Sequence, residues 1–356
     1  MKVATILRGA VLFVLVGSCG ATGTDPVGGA TRTYRMGFSS LPPRLTIPEV
    51  LQTIDSITRH GDAALMVVDV PWAALLADSS PSLLIRRDQY PIALRYQQRG
   101  LPLVATLEPA NGLERKAESD VLVRLGRSIT EPAVQRVYRE YAVAFDSILH
   151  PTHLTLAVET NLIRLAAPAS LYGALVTMAN AAAQQIRATG SATKLMVSVQ
   201  VDVAWGRIGA GSYVGIDRDR ADFPFIQALG LSSYPYLSGF TRPEDIPLDY
   251  YARLVVGKVI PMLVVEGGWT SGSVTGVTST PDLQARYIRR QMELADNARL
   301  VGVFQITFTD FELASFPVPP GSILPLFAQL GLVDVNYRAK PALAVWDGVR
   351  ARTLVP

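Results

Sequence analysis

Two glutamates stand at the ends of apolar runs in the sequence. Glu159 closes the run at residues 154–159, and Glu266 closes the run at residues 262–266. A carboxylate in such a place is costly to bury unless it is paired or used in chemistry. Two carboxyls that face each other can carry out retaining glycoside hydrolysis, in which one donates a proton to the leaving oxygen and the other attacks the anomeric carbon. A structural ion pair or a solvated loop start is the alternative for each glutamate.

A third apolar run leads into a tyrosine-rich segment. Residues 232–236 read Ser-Ser-Tyr-Pro-Tyr. A tyrosine hydroxyl in this segment can donate a hydrogen bond to Glu266 and so keep that carboxyl ionised, as a nucleophile requires.

The elements that must position these residues are eight apolar runs, each followed by a loop and most by an amphipathic stretch. Near-continuous apolar runs are typical of parallel strands that are buried on both faces. The predicted strands are residues 34–39, 64–70, 103–107, 154–159, 194–203, 227–233, 262–266 and 300–307. The clearest helical patterns lie at residues 48–60, 131–148, 170–189 and 281–297.

Eight such units predict a single α/β domain of the (β/α)8 TIM barrel class. An open doubly wound sheet is the alternative, but its first turn is usually glycine-rich, whereas residues 39–43 read Ser-Ser-Leu-Pro-Pro. In a barrel, the carboxyl ends of the strands form the active-site face. We therefore expect Glu159 on strand 4 and Glu266 on strand 7 to face one another across a pocket.

Several other side chains at strand ends are candidates for binding a sugar. Trp72, Trp205 and Trp269 each follow a strand, and an exposed indole face can stack on a sugar ring; packing against the barrel rim is the alternative. Gln305 on strand 8 points either into the pocket or into the barrel interior. Four acids at or near strand ends either bind sugar hydroxyls or cap loops: Asp69, Glu108, Asp202 and Asp310.

Short motifs in strand order carry a resemblance to a known group of enzymes. They are Met36-Gly37-Phe38, Val70-Pro71-Trp72, Glu159-Thr160-Asn161, Ser233-Tyr234-Pro235-Tyr236, Glu266-Gly267-Gly268-Trp269, Gly331-Leu332-Val333-Asp334 and Lys340-Pro341-Ala342. The chain resembles the large clan of (β/α)8 retaining glycoside hydrolases, and within it the arabinogalactan endo-β-1,4-galactanase-like group. The resemblance implies that Glu159 is the acid/base, Glu266 the nucleophile and Tyr234 the partner of Glu266. We also count Tyr236, in the same motif as Tyr234, among the substrate-binding candidates.

Two positions depart from the pattern of that clan. The residue before the acid/base, usually an Asn that binds the sugar 2-hydroxyl, is Val158 here, and the last strand lacks the usual tryptophan. Asn161 shares the side of Glu159 if strand 4 continues, and is then a candidate substitute. These departures favour the alternative function, a non-catalytic carbohydrate-binding lipoprotein on the same barrel. A barrel adapted to partner binding at the envelope is a third, weaker alternative.

The N-terminal sequence resembles a targeting signal. The basic residues Lys2 and Arg8 precede an apolar run at residues 9–16, which is too short to span a bilayer, and Cys19 follows in a sequence that resembles a bacterial lipobox. An ordinary secretory signal with a chance cysteine is the alternative. We expect a signal peptide at residues 1–18, a lipid-anchored flexible tether at 19–33 and the barrel at 34–356. The chain would then be secreted across the cytoplasmic membrane and held on the cell envelope by a lipid on Cys19.

Composition excludes several other classes of function. The net charge is +3, too small an excess for a nucleic-acid-binding protein. One cysteine and three histidines exclude a disulfide framework, a zinc finger and an iron–sulfur site. The sequence holds no G-x-S-x-G or H-E-x-x-H motif. We therefore expect a carbohydrate substrate and neither a metal nor an organic cofactor.

Overall fold

A computed structural model of the chain describes residues 29–318 and 321–355. The predicted signal peptide, Cys19 and most of the predicted tether lie outside the described residues. Within the described ranges, no helix is both long enough and apolar enough to cross a membrane.

Eight parallel strands close into a barrel. In chain order they are β1 (Arg35–Ser39), β2 (Ala63–Asp69), β3 (Leu103–Glu108), β4 (His153–Thr155), β5 (Lys194–Gln200), β6 (Ala228–Ser233), β7 (Met262–Gly267) and β8 (Gly302–Gln305). Each strand pairs in parallel with the next, and β8 pairs in parallel with β1. The (β/α)8 barrel predicted from the apolar runs is confirmed.

Helices follow the strands and cover the barrel from outside. They are α1 (Ile47–His60), α2 (Trp72–Leu76), α3 (Pro81–Asp88), α4 (Tyr90–Gln97), α5 (Asp120–Arg124), α6 (Pro132–Leu149), α7 (Thr160–Ala166), α8 (Ala169–Ala188), α9 (Val201–Ala204), α10 (Asp217–Asp222), α11 (Pro281–Ala298) and α12 (Pro341–Arg350). The predicted start of α11 is confirmed, because the Thr280 side chain accepts a hydrogen bond from the backbone N–H of Leu283. Helix α6 begins at Pro132, which lies at its first position.

The alternation of side chains along each strand divides the core into two layers. On β2, Ala63 and Leu65 point into the barrel, whereas Ala64 and Met66 pack against the surrounding helices. The interior cluster is Ala63, Leu65, Val104, Met196, Ala228, Leu263, Val265 and Phe304. The barrel is therefore a packed core, and the space for a ligand lies above it, at the strand ends.

Three predicted strands are at least three residues shorter in the structure than in the sequence pattern, and one of them is β8, predicted at residues 300–307. Strand β4 ends at Thr155, so residues 156–159 form a bend, and α7 begins directly after Glu159. Strand β5 ends at Gln200, whose side chain accepts a hydrogen bond from the backbone N–H of Val203 and caps α9. Apolar residues continue past both strand ends because they are buried in these turns, which is why the apolar pattern alone overestimates both strands.

Residues before Tyr34 make contacts with the rest of the described chain. Thr31–Arg32 pair in parallel with Thr353–Leu354. The buried Arg32 side chain donates hydrogen bonds to Asp62 and to the backbone oxygen of Arg350. These contacts lie at the amino ends of the barrel strands, on the face opposite the strand carboxyl ends.

Gly37 on β1 leaves room for the ring of Phe304 inside the barrel. A Cβ atom at Gly37 would lie 2.2 Å from the backbone oxygen of Ala63 and 2.9 Å from the Phe304 ring. We expect Gly37→Ala to lower the free energy of unfolding by about 1–3 kcal/mol, because backbone and ring must both shift. Urea unfolding measures the effect. Gly348→Ala is the matched control, since its Cβ in α12 meets nothing within 4 Å and should stabilise the helix by about 0.5–1 kcal/mol. Equal midpoints for the two variants would contradict the crowding.

Candidate active site

The carboxyl ends of the strands surround a cleft with two adjoining lobes. The β1–β3 lobe has a volume of about 290 Å³ and includes Asp69 and Glu108 in its lining. The β4–β6 lobe has a volume of about 340 Å³ and includes Glu159. Residues common to both lobes are Gly112, Leu113, Arg115, Tyr234, Glu266 and Phe327. Glu266 therefore lies where the two lobes meet. A ligand with one group in each lobe would place the bond between those groups beside Glu266.

Glu159 is held at the turn between β4 and α7. Its backbone has φ 46° and ψ 47°, a left-handed conformation that costs a non-glycine residue roughly 1–2 kcal/mol. Its backbone N–H donates a hydrogen bond to the Ser198 hydroxyl at 2.9 Å, which holds the turn. One carboxylate oxygen accepts from the Ser232 hydroxyl at 2.6 Å and the other from Arg115 Nε at 2.7 Å. Backbone strain of this kind is retained where it sets the direction of a side chain. Here it directs the Glu159 side chain into the cleft.

Glu266 is aimed by an irregularity between β6 and β7. Leu231 pairs with Val264 but Ser232 pairs with Glu266, so β7 has one extra residue at this point. Such a bulge re-aims the side chains that follow it. The Tyr234 hydroxyl donates to Oε1 of Glu266 at 3.0 Å. Oε2 of Glu266 accepts no hydrogen bond from the described residues and is free to meet a ligand.

Arg115 is the functional residue that sequence reasoning missed. It lies in the loop between β3 and α5, and it is 8% exposed. Besides its bond to Glu159, Nη1 donates to Oε2 of Glu108 at 2.5 Å and to the backbone oxygen of Asn111 at 3.3 Å. The sequence gives no signal for this, because Arg115 follows Glu114 and precedes Lys116 in a polar run that is typical of a solvated loop.

Burial and neighbouring charges shift the pKa values of several ionisable side chains in the cleft. Burial raises the pKa of Glu266 to about 8, and the neighbouring charge of Glu159 adds to this, whereas Arg115 and the Tyr234 hydrogen bond oppose it. Burial also raises the pKa of Glu108, against the opposing effect of Arg115. Burial and the charge of Glu266 raise the pKa of Tyr234, which keeps its hydroxyl protonated as a donor.

Burial and the charge of Glu159 therefore favour the protonated form of Glu266. Glu159 has a hydrogen-bond donor on each carboxylate oxygen, the Ser232 hydroxyl on one and Arg115 Nε on the other. Double displacement requires one carboxyl to be protonated and the other to be ionised. The family resemblance implies that Glu266 is the ionised nucleophile, whereas the raised pKa of Glu266 favours its protonated form.

The three tryptophans do not line either lobe. Trp72 and Trp269 are each 1% exposed, and the Trp269 indole N–H donates to the Ser279 hydroxyl at 3.0 Å. Trp205 is partly buried, and its N–H donates to the backbone oxygen of Tyr250 at 2.8 Å. Their ring faces pack under the barrel rim, so the prediction that they form open platforms for sugar rings is not supported by their positions.

Three further binding candidates are occupied by structural contacts. Asn161 donates to the backbone oxygen of Gln200 and accepts from its N–H, both at 2.8 Å, because the chain has left the strand and entered α7. It therefore does not share the side of Glu159. The Tyr236 hydroxyl donates to the backbone oxygen of Leu326 at 3.0 Å. Gln305 donates to Gln291 on α11 at 2.6 Å and so points outward, into neither the pocket nor the barrel interior.

The acids that end β2 and β3 do reach the cleft. Asp69 and Glu108 both line the β1–β3 lobe, whereas Asp310 pairs with Lys340 outside it. In the described part of the chain, no three His, Cys, Asp or Glu side chains are grouped in a way that could hold a metal ion.

Comparison with known proteins identifies the architecture. No family model and no curated protein matches the chain. An exo-β-1,4-mannosidase, Op5Man5 from Opitutaceae bacterium strain TAV5, aligns with a TM-score of 0.66 and 16% identity over 90% of this chain and 60% of that one. GH5_18 from Bifidobacterium longum aligns with a TM-score of 0.63 and 16% identity over 91% and 81%. The Ignisphaera aggregans GH53 catalytic domain aligns with a TM-score of 0.57 and 15% identity over 89% and 91%.

The structural neighbours are (β/α)8 glycoside hydrolases. At these identities the likeness shows the fold, and the chain spans only 60% of the length of the mannosidase structure. The neighbours come from several groups of one clan, so the predicted galactanase-like group is not singled out.

The proton distribution in the cleft can be tested by titration. We expect Glu159→Gln to lower the pKa of Glu266 from about 8, because it removes a like charge and leaves Arg115 in place. Arg115→Gln should raise the same pKa, because it removes the attraction to the ionised form. Infrared spectroscopy of the ¹³C-labelled glutamate carboxyls measures both shifts, and Glu266→Gln identifies the band.

The exposed Glu293 on α11 offers a control. Glu293→Gln should leave the pKa of Glu266 unchanged. If Glu159→Gln also leaves the pKa of Glu266 unchanged, the charge of Glu159 does not act on Glu266. The electrostatic arrangement described for the site is then wrong.

Proposed function

We propose that this protein is a glycoside hydrolase that cleaves a glycosidic bond by retaining double displacement. The observation that carries the proposal is that Glu159 and Glu266, aimed by a strained turn and a bulge, line one lobe, close enough for the charge of Glu159 to raise the pKa of Glu266. The structural neighbours support it at the level of the fold, since they are glycoside hydrolases on the same barrel.

Glu266 is proposed as the nucleophile because its Oε2 is free in the cleft, while Tyr234 holds the other oxygen. In the first step Oε2 bonds to the anomeric carbon, the glycosidic bond breaks, and Glu159 gives its proton to the leaving oxygen. In the second step Glu159 takes a proton from water, the water oxygen attacks the anomeric carbon, and the bond to Glu266 breaks.

This assignment requires one rearrangement before chemistry. Glu266 must be ionised and Glu159 protonated, and Arg115, which donates to one oxygen of Glu159, must move away from that oxygen. Arg115 retains Glu108 and the backbone oxygen of Asn111 as partners, so it can leave Glu159 without losing every acceptor. The leaving oxygen of the substrate then takes the place that Arg115 Nε occupies beside Glu159.

The Arg115–Glu159 ion pair also favours a second candidate function. A carboxylate that is permanently paired cannot donate a proton, and Val158 offers no hydrogen bond to a sugar. If the pair does not open, the protein is a carbohydrate-binding lipoprotein on a catalytic fold.

Substrate hydrolysis separates the two functions. The full chain with Cys19→Ser, which carries no lipid, is incubated with plant and bacterial polysaccharides and with aryl glycosides, and released reducing ends are measured. Release by this protein but not by its Glu266→Gln variant establishes a glycosidase. Retention on one polysaccharide without release establishes the binding function.

Leaving groups of different acidity distinguish the roles of the two glutamates. An activated aryl leaving group needs no proton, so Glu159→Ala should lose much less activity on it than on an unactivated glycoside. Glu266→Ala should lose activity on both, because the nucleophile is needed in either case. The opposite pattern would reverse the two roles.

We also propose that a lipid on Cys19 anchors the protein to the cell envelope. The apolar run and the lipobox-like sequence support this, and both precede the described residues. Full-length protein should partition into the detergent phase of Triton X-114 and incorporate labelled palmitate when expressed in bacteria. Cys19→Ala should abolish labelling, whereas a signal without lipidation would leave both versions unlabelled.

A further inference from the structure

We infer, on the basis of the proposed glycosidase function, that the β4–β6 lobe receives an apolar leaving group. The substrate is then a glycoside whose aglycone is an alkyl chain or an aromatic ring, rather than a glycan with a second sugar on that side. The inference concerns the same cleft as the proposed function and adds the class of its substrate.

The position of Glu159 fixes which lobe holds the leaving group. Glu159 lines the β4–β6 lobe and not the β1–β3 lobe, whereas Glu266 lines both. The oxygen that Glu159 protonates must lie within hydrogen-bond reach of it. The sugar ring attacked by Glu266 therefore extends toward the β1–β3 lobe, and the group that leaves extends into the β4–β6 lobe.

The walls of the β4–β6 lobe are mainly apolar. Its apolar lining includes Leu113, Leu162, Ile208, Leu237, Ile323 and Phe327. Leu113 is 38% exposed and Ile323 is 43% exposed, so apolar surface is open to solvent at the mouth of the lobe. Apolar surface of this kind gains binding free energy by covering an apolar group.

The polar side chains of the lobe have few free hydrogen-bonding groups to offer a sugar. The amide oxygen of Gln200 already accepts from the backbone N–H of Val203. One oxygen of Glu159 accepts from the Ser232 hydroxyl, and the other is the one that meets the leaving oxygen in the proposed mechanism. Glu114 pairs with Lys116 at the exposed rim. A second sugar ring would lose water from its hydroxyls without gaining matching partners, which opposes its binding.

The tryptophans that would stack on a sugar ring are also absent from this lobe. Trp205, on the segment that follows β5, stacks instead on Tyr250 with its N–H bonded to backbone. The lobe thus offers few free hydrogen-bonding side chains and no tryptophan to a sugar, whereas it offers a mainly apolar lining.

Matched substrates test the inference. The full chain with Cys19→Ser is assayed on octyl, benzyl and methyl β-glycosides, whose leaving alcohols are of similar acidity, and on the β-1,4-linked disaccharide. Each is tested for glucose, mannose, galactose and xylose, below micelle-forming concentrations. For the sugar that is accepted, we expect kcat/KM for the octyl or benzyl glycoside to exceed that for the methyl glycoside and the disaccharide by about tenfold or more. A preference for octyl indicates an alkyl-chain aglycone, and a preference for benzyl indicates an aromatic one.

Variants of the apolar wall localise the effect. Ile208→Asn and Leu237→Asn should each reduce the ratio of octyl to methyl kcat/KM by about threefold to tenfold. Leu248→Asn is the matched control, because Leu248 is 49% exposed and lines neither lobe, and it should leave the ratio unchanged. Urea midpoints confirm that each variant is folded.

The inference and the proposed function fail in different ways. Hydrolysis that depends on Glu266 but shows no preference for apolar aglycones, or prefers the disaccharide, overturns the inference and leaves the glycosidase. If no glycoside is hydrolysed, the glycosidase fails, and calorimetry of the same protein decides the inference separately. Tighter binding of octyl than methyl glycosides, weakened by Leu237→Asn, then supports the apolar lobe, and equal binding overturns it.

Discussion

The electrostatics of the cleft at the mouth of this barrel depend on the guanidinium of Arg115. It lies between the carboxylates of Glu108 and Glu159, almost fully buried. Without a cation there, burial would drive the buried acids around it further toward their neutral forms. With it, the pKa values of Glu108 and Glu266 are raised less than burial alone would raise them.

The rest of the structure serves to hold that arrangement. Closure of eight strands brings β4 and β7 to the same face, although about a hundred residues separate Glu159 from Glu266 in the chain. Regular strand geometry alone does not aim the side chains. A left-handed backbone at Glu159 and an extra residue in β7 before Glu266 do so, and both are local irregularities in an otherwise regular barrel.

The apolar runs and the acids that end them made the barrel and the two glutamates predictable, because burial on both faces of a parallel strand leaves a clear pattern in the sequence. The hydrogen bond from Tyr234 to Glu266 follows from the same strand map. Arg115 was not predictable, because its partners are set by how a polar loop folds back over the barrel. The positions of the tryptophan rings were not predictable for a related reason. A residue that follows a strand lies near the cleft, but only packing decides whether its ring faces the cleft or the helices.

The pairing of Thr31–Arg32 with Thr353–Leu354 has a consequence for how the protein meets a surface. It places Thr31 on the face where the barrel strands begin, while the cleft opens at the strand ends. Under the anchoring proposed above, the attachment through Cys19 would reach the barrel from the face opposite the cleft. The cleft would then be accessible to substrate from the surrounding medium.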